Sequence, residues 1–562
     1  MKLKTSFFNP AVLKKDITRF APLWGLYTVF MLLFLVLTWG DGMSADEFAR
    51  NANSIMIAMG VVNFGYAGLA SLALFGDLFK ARLVGALHAL PLRREGWFLT
   101  HLTAGMLFCL IPNALGAVLS AAMLGKFAYL AYLWLGLMIM QYICFFGIGA
   151  FSAQCAGNSL GSIAVYGLTN FLSVLVLWMV KCFYEPVLFG ITVNGGQLVK
   201  FSPVVGFSMQ NYVDVDFVYN SGETVFKGFV GSGWLYALLT ALAGLALLVA
   251  ALFMYRRRKL ESAGDLIAFR PAGPVFLVLY SLCVGAVLYL MGDAVDSNLG
   301  YIFLIIGLGI GWFTGLMLLQ KRVNVFRWKA FIGYGVLVFV FFLSVTVVWL
   351  DPVGVTRYVP QADQVQKAVV SPYTSDYYFI NESAVVSDPA DIEKLTQIHR
   401  DLVQERSERR DRMVFRIQYT MKTGVEVERN YYLDVESENG QWVKKIYSSP
   451  ETVLGSSNPE RLKQTVQLVE LYSYSDTYFP QISNKGEYAV LAAGYAGLID
   501  ALIADCNAGN IAQIWDYHSD EDVAANLRIK IGTGYQEIRV YESCTNTIQY
   551  LNSLGEKLKP IE

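Results

Sequence analysis

The chain has 562 residues, of which 55% are hydrophobic, 14% aromatic and only 16% charged. Because a soluble globular protein carries about 25% charged residues, part of this chain must lie in a solvent other than water. Residues 1–350 hold 23 basic and 14 acidic residues, whereas residues 351–562 hold 21 basic and 31 acidic residues. The charge-poor first region and the acidic second region give no sign of nucleic-acid binding.

The chain opens with a predicted amphipathic helix, which we assign to residues 1–19. Within Asn9–Phe20, Leu13, Ile17 and Phe20 recur at spacings of four and three, with basic residues between them. This pattern is typical of a helix that lies on the inner leaflet of a membrane, either as a plain anchor or as a docking surface for a partner.

Nine apolar stretches follow, each long enough to span a membrane. A helix needs about 20 apolar residues to cross about 30 Å of hydrocarbon. The stretches are Phe20–Trp39, Ser54–Phe75, Phe98–Leu124, Ala128–Phe151, Leu160–Val180, Trp234–Met254, Val275–Met291, Leu299–Leu319 and Ala330–Leu350. We therefore predict a polytopic α-helical membrane protein, with a six-span core at residues 20–260 and three additional spans at residues 261–350.

The distribution of Lys and Arg predicts the orientation of these spans in the cell membrane. With the N-terminus in the cytoplasm, the cytoplasmic segments contain 18 of the 23 basic residues of the first region. Such an excess of positive charge is typical of cytoplasmic loops. Nine spans then leave residues 351–562 on the outer side.

We take the interiors of the nine stretches to be free of Asp, Glu, Lys, Arg and His. Ionisable groups inside a membrane usually mark proton relays or ion sites. This pattern argues against a carrier coupled to protons or sodium, so we expect energy to enter through the cytoplasmic segments.

The cytoplasmic segment Gly76–Gly96 is longer than a connecting turn requires. It is either a loop that only sets topology or a short interfacial helix that receives force from a partner. We expect the second role to fall on its charged residues and one apolar residue, namely Asp77, Lys80, Arg82, Leu87, Arg93 and Arg94. His88 in the same segment is interpreted as a structural hydrogen-bonding residue. The run YRRRK at 255–259 is interpreted as a stop-transfer signal alone.

Residues 1–260 resemble the membrane subunit of type-two ABC export permeases. The resemblance rests on the amphipathic N-terminal helix, on the run LFGDLFKARLVGALHALPLRREGWF (Leu74–Phe98) and on YRRRKLESAG (Tyr255–Gly264) after the sixth stretch. The segment DPVGVTRYVP (Asp351–Pro360) is similar to a subgroup of Gram-positive permeases that carry an appended outer domain of unassigned role.

The resemblance implies that Gly76–Gly96 is a coupling segment that docks on a separate cytoplasmic ATPase. It also implies a second permease subunit, identical or related, to enclose a pathway through the membrane lipid. The chain has no GxxxxGK[ST] phosphate-binding loop, so we expect no enzyme activity and no cofactor in this chain, with ATP bound by the partner.

Residues 351–562 are predicted to form an extracytoplasmic α+β domain. Asp388 and Pro389 are typical of a helix start, and two alternating stretches flank the turn Lys422–Gly424. A similar order recurs over Tyr488–Leu554, which suggests two copies of a strand–helix–hairpin unit. Tyr419, Tyr431 and Tyr432 either line a binding face or pack in a core.

Seven cysteines are scattered without metal-ligand spacing. Cys506 and Cys544 are the two in the outer domain, where either a disulfide or a pair of buried free thiols would fit.

Two other functions remain open. One is a membrane sensor or resistance module whose outer domain binds a peptide or a cell-wall precursor. The other is a membrane enzyme acting on lipid-linked substrates, for which Asp293 and Asp296 are the nearest candidates. The outer histidines His399 and His518 have no nucleophile at an informative spacing, so we predict no catalytic site and no metal site.

Overall fold

The computed structural model describes most of the chain. The described residues are 8–38, 45–80, 82–84, 93–193, 195–220, 223–258, 260–269, 271–373, 384–406, 413–434, 436–454, 462–463, 466–473, 487–490, 494–511, 523–531, 534–554 and 558–560. The chain divides into two compact units. One comprises Met1–Tyr184 with Asn194–Thr346, and the other Glu185–Val193 with Val347–Glu562.

The first unit is helical. Its short N-terminal helix α1 (Pro10–Arg19) is capped by Asn9, whose side chain accepts the backbone N–H groups of Ala11 and Val12. Nine longer helices follow: α2 (Ala21–Thr38), α3 (Ala45–Phe75), α4 (Arg94–Leu124), α5 (Tyr129–Cys155), α6 (Ser159–Met179), α7 (Trp234–Arg257), α8 (Ala272–Asp293), α9 (Ser297–Gln320) and α10 (Trp328–Leu350). Each predicted apolar stretch is therefore largely helical.

Eight of these helices, α3–α10, are long and apolar enough to cross a membrane, as judged over the described residues. The helix of the first predicted stretch, α2, meets the same criterion only together with α1, from which it is bent by 58°. The bend places a break at Phe20, between a helix with charged residues and a fully apolar one. The predicted helical architecture of this region, with eight helices that could span a membrane, is thus confirmed.

Two separate hydrophobic cores hold the first unit together. The larger one is built from α2–α5 and α7, with Phe98, Phe108, Tyr142 and Phe146 among its buried side chains. The smaller one joins α8–α10 to the end of α6 through Phe183, Tyr289, Leu308 and Phe341. Phe183 contacts the rings of Tyr289 and Phe341 edge-on, with centroids 4.8 and 5.1 Å apart.

Glycines permit close approach between two pairs of helices. A Cβ atom on Gly147 of α5 would overlap the backbone carbonyl of Gly244 on α7. In α9, a Cβ on Gly307 would lie 2.9 Å from the Cα of Gly285 in α8, and one on Gly311 would lie 2.7 Å from the Cα of Ser281. Small residues at such crossings are typical of membrane helices, which associate mainly through close packing.

A two-stranded antiparallel hairpin, β1 (Asp214–Asn220) and β2 (Glu223–Val230), lies between α6 and α7 in the chain. Two short helices, Gly196–Val199 and Pro203–Ser208, precede it in the chain.

The second unit begins with an antiparallel sheet of four strands in the order β4-β3-β5-β6. The strands are β3 (Val365–Tyr373), β4 (Ala384–Val386), β5 (Met413–Met421) and β6 (Glu426–Leu433), and the helices are α11 (Pro389–Glu405) and α12 (Glu438–Tyr447). Asp388 caps α11 by accepting the N–H of Ala390, and Pro389 occupies its first turn. Gly424 turns the β5–β6 hairpin with a φ of +81°. These local predictions are confirmed.

The same order of elements recurs in the second half of this unit. There, β7 (Val466–Ser473), β8 (Glu487–Val490), α13 (Tyr495–Ala508), β9 (Val523–Ile531), β10 (Gly534–Tyr541) and α14 (Thr545–Leu554) follow one another. Their sheet order is β10-β9-β7-β8, with β11 (Leu558–Pro560) added beside β8. The two copies share even a break in register, between Val365 and Lys367 in one and between Val466 and Leu468 in the other.

Candidate functional site

The segment that follows α3 begins as a buried turn. Gly76–Phe79 forms a 3-10 helix in which Asp77, Leu78 and Phe79 are all buried. The carboxylate of Asp77 pairs with the guanidinium of Arg19 on α1 at 3.4 Å. The start of the predicted coupling segment is therefore fixed to the N-terminal helix and is not a free loop.

Arg258 ties the same turn to the ends of two other helices. Its side chain is buried and donates to the carbonyl oxygens of Ala153 at 2.7 Å and Gln154 at 3.4 Å, in the last turn of α5. It also donates to the carbonyl of Leu78 at 3.4 Å. Reading the run at 255–259 as a stop-transfer signal alone was therefore wrong for Arg258, because a guanidinium with five N–H groups joins three main-chain segments.

The first turn of α4 completes this cluster of charged residues. Arg94 donates to the carbonyl oxygens of Arg256 and Arg258, at 3.3 and 3.4 Å. Glu95 pairs with Arg256 at 3.1 Å. We call these residues the basal cluster; its members are Arg19, Asp77, Arg94, Glu95, Arg256 and Arg258.

The structure separates the six residues predicted for the coupling segment into two groups. Asp77 and Arg94 belong to the basal cluster and hold the bundle together. Lys80 and Arg82 are exposed immediately after the buried turn, and Arg93 is exposed just before α4. Leu87, like His88, lies outside the described residues. Lys80 and Arg82 are thus the side chains best placed to meet another protein.

A buried contact between a carboxyl group and an imidazole ring lies beside the basal cluster. Asp16 on α1 and His101 on α4 approach to 2.7 Å between Oδ2 and Nδ1, and their side chains are only 4% and 2% exposed. The contact has ion-pair distance without good hydrogen-bond angles, and Nε2 of His101 has no hydrogen-bond partner among the described residues. The expectation of interiors without ionisable residues is wrong here, because His101 belongs to the predicted stretch Phe98–Leu124 and lies two turns inside α4, which begins at Arg94.

A second polar cluster lies within the larger core of the first unit. Asn63 is central, since it accepts from the hydroxyl of Tyr27 at 2.9 Å and donates to Gln141 at 2.9 Å. Gln141 in turn donates to the carbonyl of Met56, and Asn113 donates to the Tyr27 hydroxyl. Asn63, Asn113 and Gln141 are all fully buried.

This cluster within the helical core is polar but carries no formal charge. Its residues come from α2, α3, α4 and α5, so that it joins four helices through hydrogen bonds. Such bonds between membrane helices each contribute about 1 kcal/mol. The sequence did not predict this cluster. Single Asn and Gln residues within apolar stretches do not indicate which residues of other helices they contact.

The second unit contains a buried polar network in its first copy. His399 of α11 lies 2.8 Å from the hydroxyl of Tyr431 and 3.2 Å from that of Tyr419. Burial, reinforced by the nearby Arg429, lowers the pKa of His399 to about 3, so its ring is neutral. Tyr419 and Tyr431 are buried, which confirms packing, the second of the two interpretations given to these residues.

Cys506 and Cys544 are both buried free thiols in the structure. Burial raises the pKa of each to about 12, so neither is a reactive thiolate. Whether the pair becomes oxidised stays a prediction, which mass spectrometry of the alkylated, unreduced chain would test.

One of the two aspartates considered for chemistry on lipid-linked substrates has a structural contact. Asp296 is the N-cap of α9, where its carboxylate accepts the N–H of Asn298 at 2.8 Å. Among the described residues, no group of three or more His, Cys, Asp or Glu side chains is arranged to hold a metal ion.

Comparison with known proteins identifies no relative. Neither a protein-family model, nor a curated protein, nor a solved structure matches the chain.

Proposed function

We propose that this chain is the permease subunit of an ABC-type exporter in the cell membrane, powered by a separate cytoplasmic ATPase. In this proposal nine helices span the membrane, the N-terminus is cytoplasmic and residues 351–562 lie outside. A second permease subunit, identical or related, completes the pathway. The sequence resemblance over residues 1–260 and the array of apolar helices support it.

One observation carries the proposal: the segment that would receive the ATPase is bonded at its base to several helices. Asp77 is paired to α1, and the carbonyl of Leu78 is bonded to Arg258, which also holds the end of α5. Arg258 is joined through its own carbonyl to Arg94 of α4. A displacement of the exposed Lys80 and Arg82 would therefore be transmitted to α1, α4, α5 and α7 at the same time.

The uncharged polar cluster around Asn63 fits the same proposal. A pathway driven by ATP hydrolysis needs helices that can shift against one another, and neutral hydrogen bonds are weaker constraints than buried ion pairs. The buried contact between Asp16 of α1 and His101 of α4 lies beside the basal cluster.

The test is a charge reversal at the two exposed positions, Lys80→Glu together with Arg82→Glu. Interface energy usually concentrates in a few residues, so we expect the variant to lose at least about tenfold in co-purifying ATPase. Its abundance in the membrane should stay normal, because neither side chain is buried.

The control reverses two exposed basic residues in another predicted cytoplasmic segment, Arg327→Glu with Lys329→Glu. This pair changes the net charge equally and should retain the ATPase. If the Lys80/Arg82 variant keeps both its ATPase and its transport activity, Gly76–Gly96 is not the coupling segment. If no ATPase co-purifies with the unmodified chain, the assignment to this class of transporter is itself wrong.

A further inference from the structure

The two copies in the second unit differ at one set of equivalent positions. Matching strand registers equates Tyr419, Tyr431 and Arg429 of the first copy with Ile529, Val540 and Ile538 of the second. The buried positions of α11 and α13 match at a constant offset, which equates His399 with Leu502. All four counterparts in the second copy are apolar and buried.

The fold therefore does not require the polar network of the first copy, since the second copy fills the same positions with apolar side chains. Burying polar groups is costly unless each finds a partner. A buried His, two Tyr and an Arg at matched positions thus indicate a role that an apolar core does not supply.

The network holds two segments that lie outside the repeated sheet. The ring of Tyr431 packs on Phe189 with centroids 5.6 Å apart, and the adjacent N–H of Asn430 donates to the carbonyl of Gly190 at 2.9 Å. Arg429 donates to the carbonyl of Val355 at 3.2 Å. The segments around Phe189 and Val355 are thereby fixed to strand β6.

These two segments form the walls of a cavity. It has a volume of about 190 Å³ and is lined by Pro186, Val187, Phe189, Trp349, Thr356 and Arg406. Thr356 is held in place by Asp351, whose carboxylate accepts both its N–H and its hydroxyl. Drug-sized sites measure about 300–1,000 Å³, so this cavity suits a smaller group.

The cavity contains one cationic side chain, that of Arg406. Arg406 ends α11 in the left-handed conformation, at φ +45°, which is unfavourable for a residue with a Cβ atom. Its guanidinium lies over the ring of Phe189 at 5.9 Å from the centroid, and it makes no ion pair with any described residue. Backbone strain of this kind clusters at ligand sites.

We infer that this cavity binds the phosphate group of an anionic membrane lipid, with Arg406 as the ligand for the phosphate and with Phe189 and Trp349 as apolar walls. A guanidinium presents paired N–H groups that match the oxygens of a phosphate. The glycerol and the upper acyl carbons would contact the two rings.

A lipid is the expected source of that phosphate because of where the wall segments occur in the chain. Pro186 and Val187 lie at the end of one candidate span, Ser159–Val187, and Trp349 and Thr356 lie at the end of another, Trp328–Arg357. Trp349 is 63% exposed, and tryptophan is enriched at the level of the lipid headgroups.

The test is native mass spectrometry of the full chain in detergent, titrated with phosphatidylglycerol. We expect one tightly bound lipid on the unmodified protein and at least about tenfold weaker binding on Arg406→Gln. Arg357→Gln is the matched control, since Arg357 is exposed in the same post-span segment but does not line the cavity. It should bind the lipid as the unmodified protein does.

Two further measurements guard against misreading the result. Arg406→Gly relieves the left-handed strain, so it should unfold at a higher temperature and still lose the lipid. Diacylglycerol, which lacks the phosphate, should not bind to the unmodified protein with comparable affinity.

The inference is overturned if Arg406→Gln binds phosphatidylglycerol normally, if Arg357→Gln weakens binding equally, or if diacylglycerol binds as well. It is also overturned if inorganic phosphate binds at Arg406 and phosphatidylglycerol does not, which would assign the site to a soluble phosphate compound. None of these measurements involves an ATPase, so their outcome is independent of the proposed transport function.

Discussion

At the scale of single residues, Arg258 shows how one side chain can organise the end of a helical bundle. Its neighbours Arg256 and Arg257 are exposed, whereas Arg258 is 6% exposed and reaches three carbonyl oxygens. Lysine has the same charge, but its three N–H donors share one nitrogen, whereas Arg258 reaches the two segments from two different nitrogens of its guanidinium.

We therefore predict that Arg258→Lys destabilises the protein by about 3 kcal/mol, the loss expected from one or two hydrogen bonds to a charged group. The measurement is the free energy of unfolding of the purified full chain, from denaturation by detergent. Arg257→Lys, at an exposed position one residue away, should change this free energy by no more than about 0.5 kcal/mol. Equal effects of the two variants would contradict the role assigned to Arg258.

His399 gives a pH dependence at the same scale. Its folded pKa of about 3 lies below the unfolded value of 6.5, so the unfolded chain takes up the proton first as the pH falls. The stability that neutral His399 contributes is therefore present above pH 6.5 and is lost as the pH falls from 6.5 towards 3. One proton of difference changes the free energy of unfolding by about 1.4 kcal/mol for each pH unit.

The variant His399→Leu introduces the residue found at the equivalent position of the second copy, Leu502. We expect it to be less stable at pH 7.5, because the hydroxyls of Tyr419 and Tyr431 lose a partner. Between pH 6.5 and 4, however, its stability should decline less steeply than that of the unmodified chain. Pulse proteolysis of the full chain across this pH range measures both effects, and parallel pH profiles would contradict the assignment.

At the scale of elements, α1 is bound to the bundle and is more than a surface anchor. Asp16 and His101 join it to α4, Arg19 joins it to the turn after α3, and the N–H of Asn9 donates to Thr100. Breaking a buried ion pair leaves one group without its partner and costs about 3–5 kcal/mol, whereas replacing both groups by apolar ones is often nearly neutral.

This difference predicts the outcome of a double-mutant cycle on α1. Asp16→Leu and His101→Phe should each lower the free energy of unfolding of the full chain by about 3 kcal/mol. The double variant should lower it by less than either single variant does. Lys15→Leu, which changes an exposed neighbour on α1, should have little effect. Additive losses in the double variant would mean that the two side chains do not act as a pair.

At the scale of the whole molecule, the topology is the principal prediction. The charge rule places Lys80 and Val323 in the cytoplasm, and Phe201 and Val425 outside. All four are exposed, so that each would react with a thiol reagent that reaches its side of the membrane.

Single cysteines at these four positions, in a chain whose own seven cysteines are replaced, should divide into two pairs. An impermeant thiol reagent should label positions 201 and 425 in intact cells, and positions 80 and 323 only after the membrane is opened. Labelling of position 80 in intact cells would contradict a cytoplasmic N-terminus.

Much of this architecture could be predicted from the sequence, for a physical reason. The cost of exposing main-chain polar groups to hydrocarbon forces each long apolar stretch into a helix, so composition alone located α2–α10. In residues 351–562, Asp388, Pro389 and Gly424 determine their local backbone, and the alternation of apolar residues located β5 and β6.

What only the tertiary structure decided is which side chains meet across long stretches of sequence. Asp16 and His101 are 85 positions apart, Arg258 and Leu78 are 180 apart, and Arg429 and Val355 are 74 apart. A run such as YRRRK has the composition of a topology signal whether or not one arginine is buried, because burial depends on neighbouring helices and not on the run itself. The sequence determined the helices, the hairpins and the repeated order of elements; the packing decided that Asp77 and Arg94 hold the bundle, that His399 sits in a core, and that Arg406 faces a cavity.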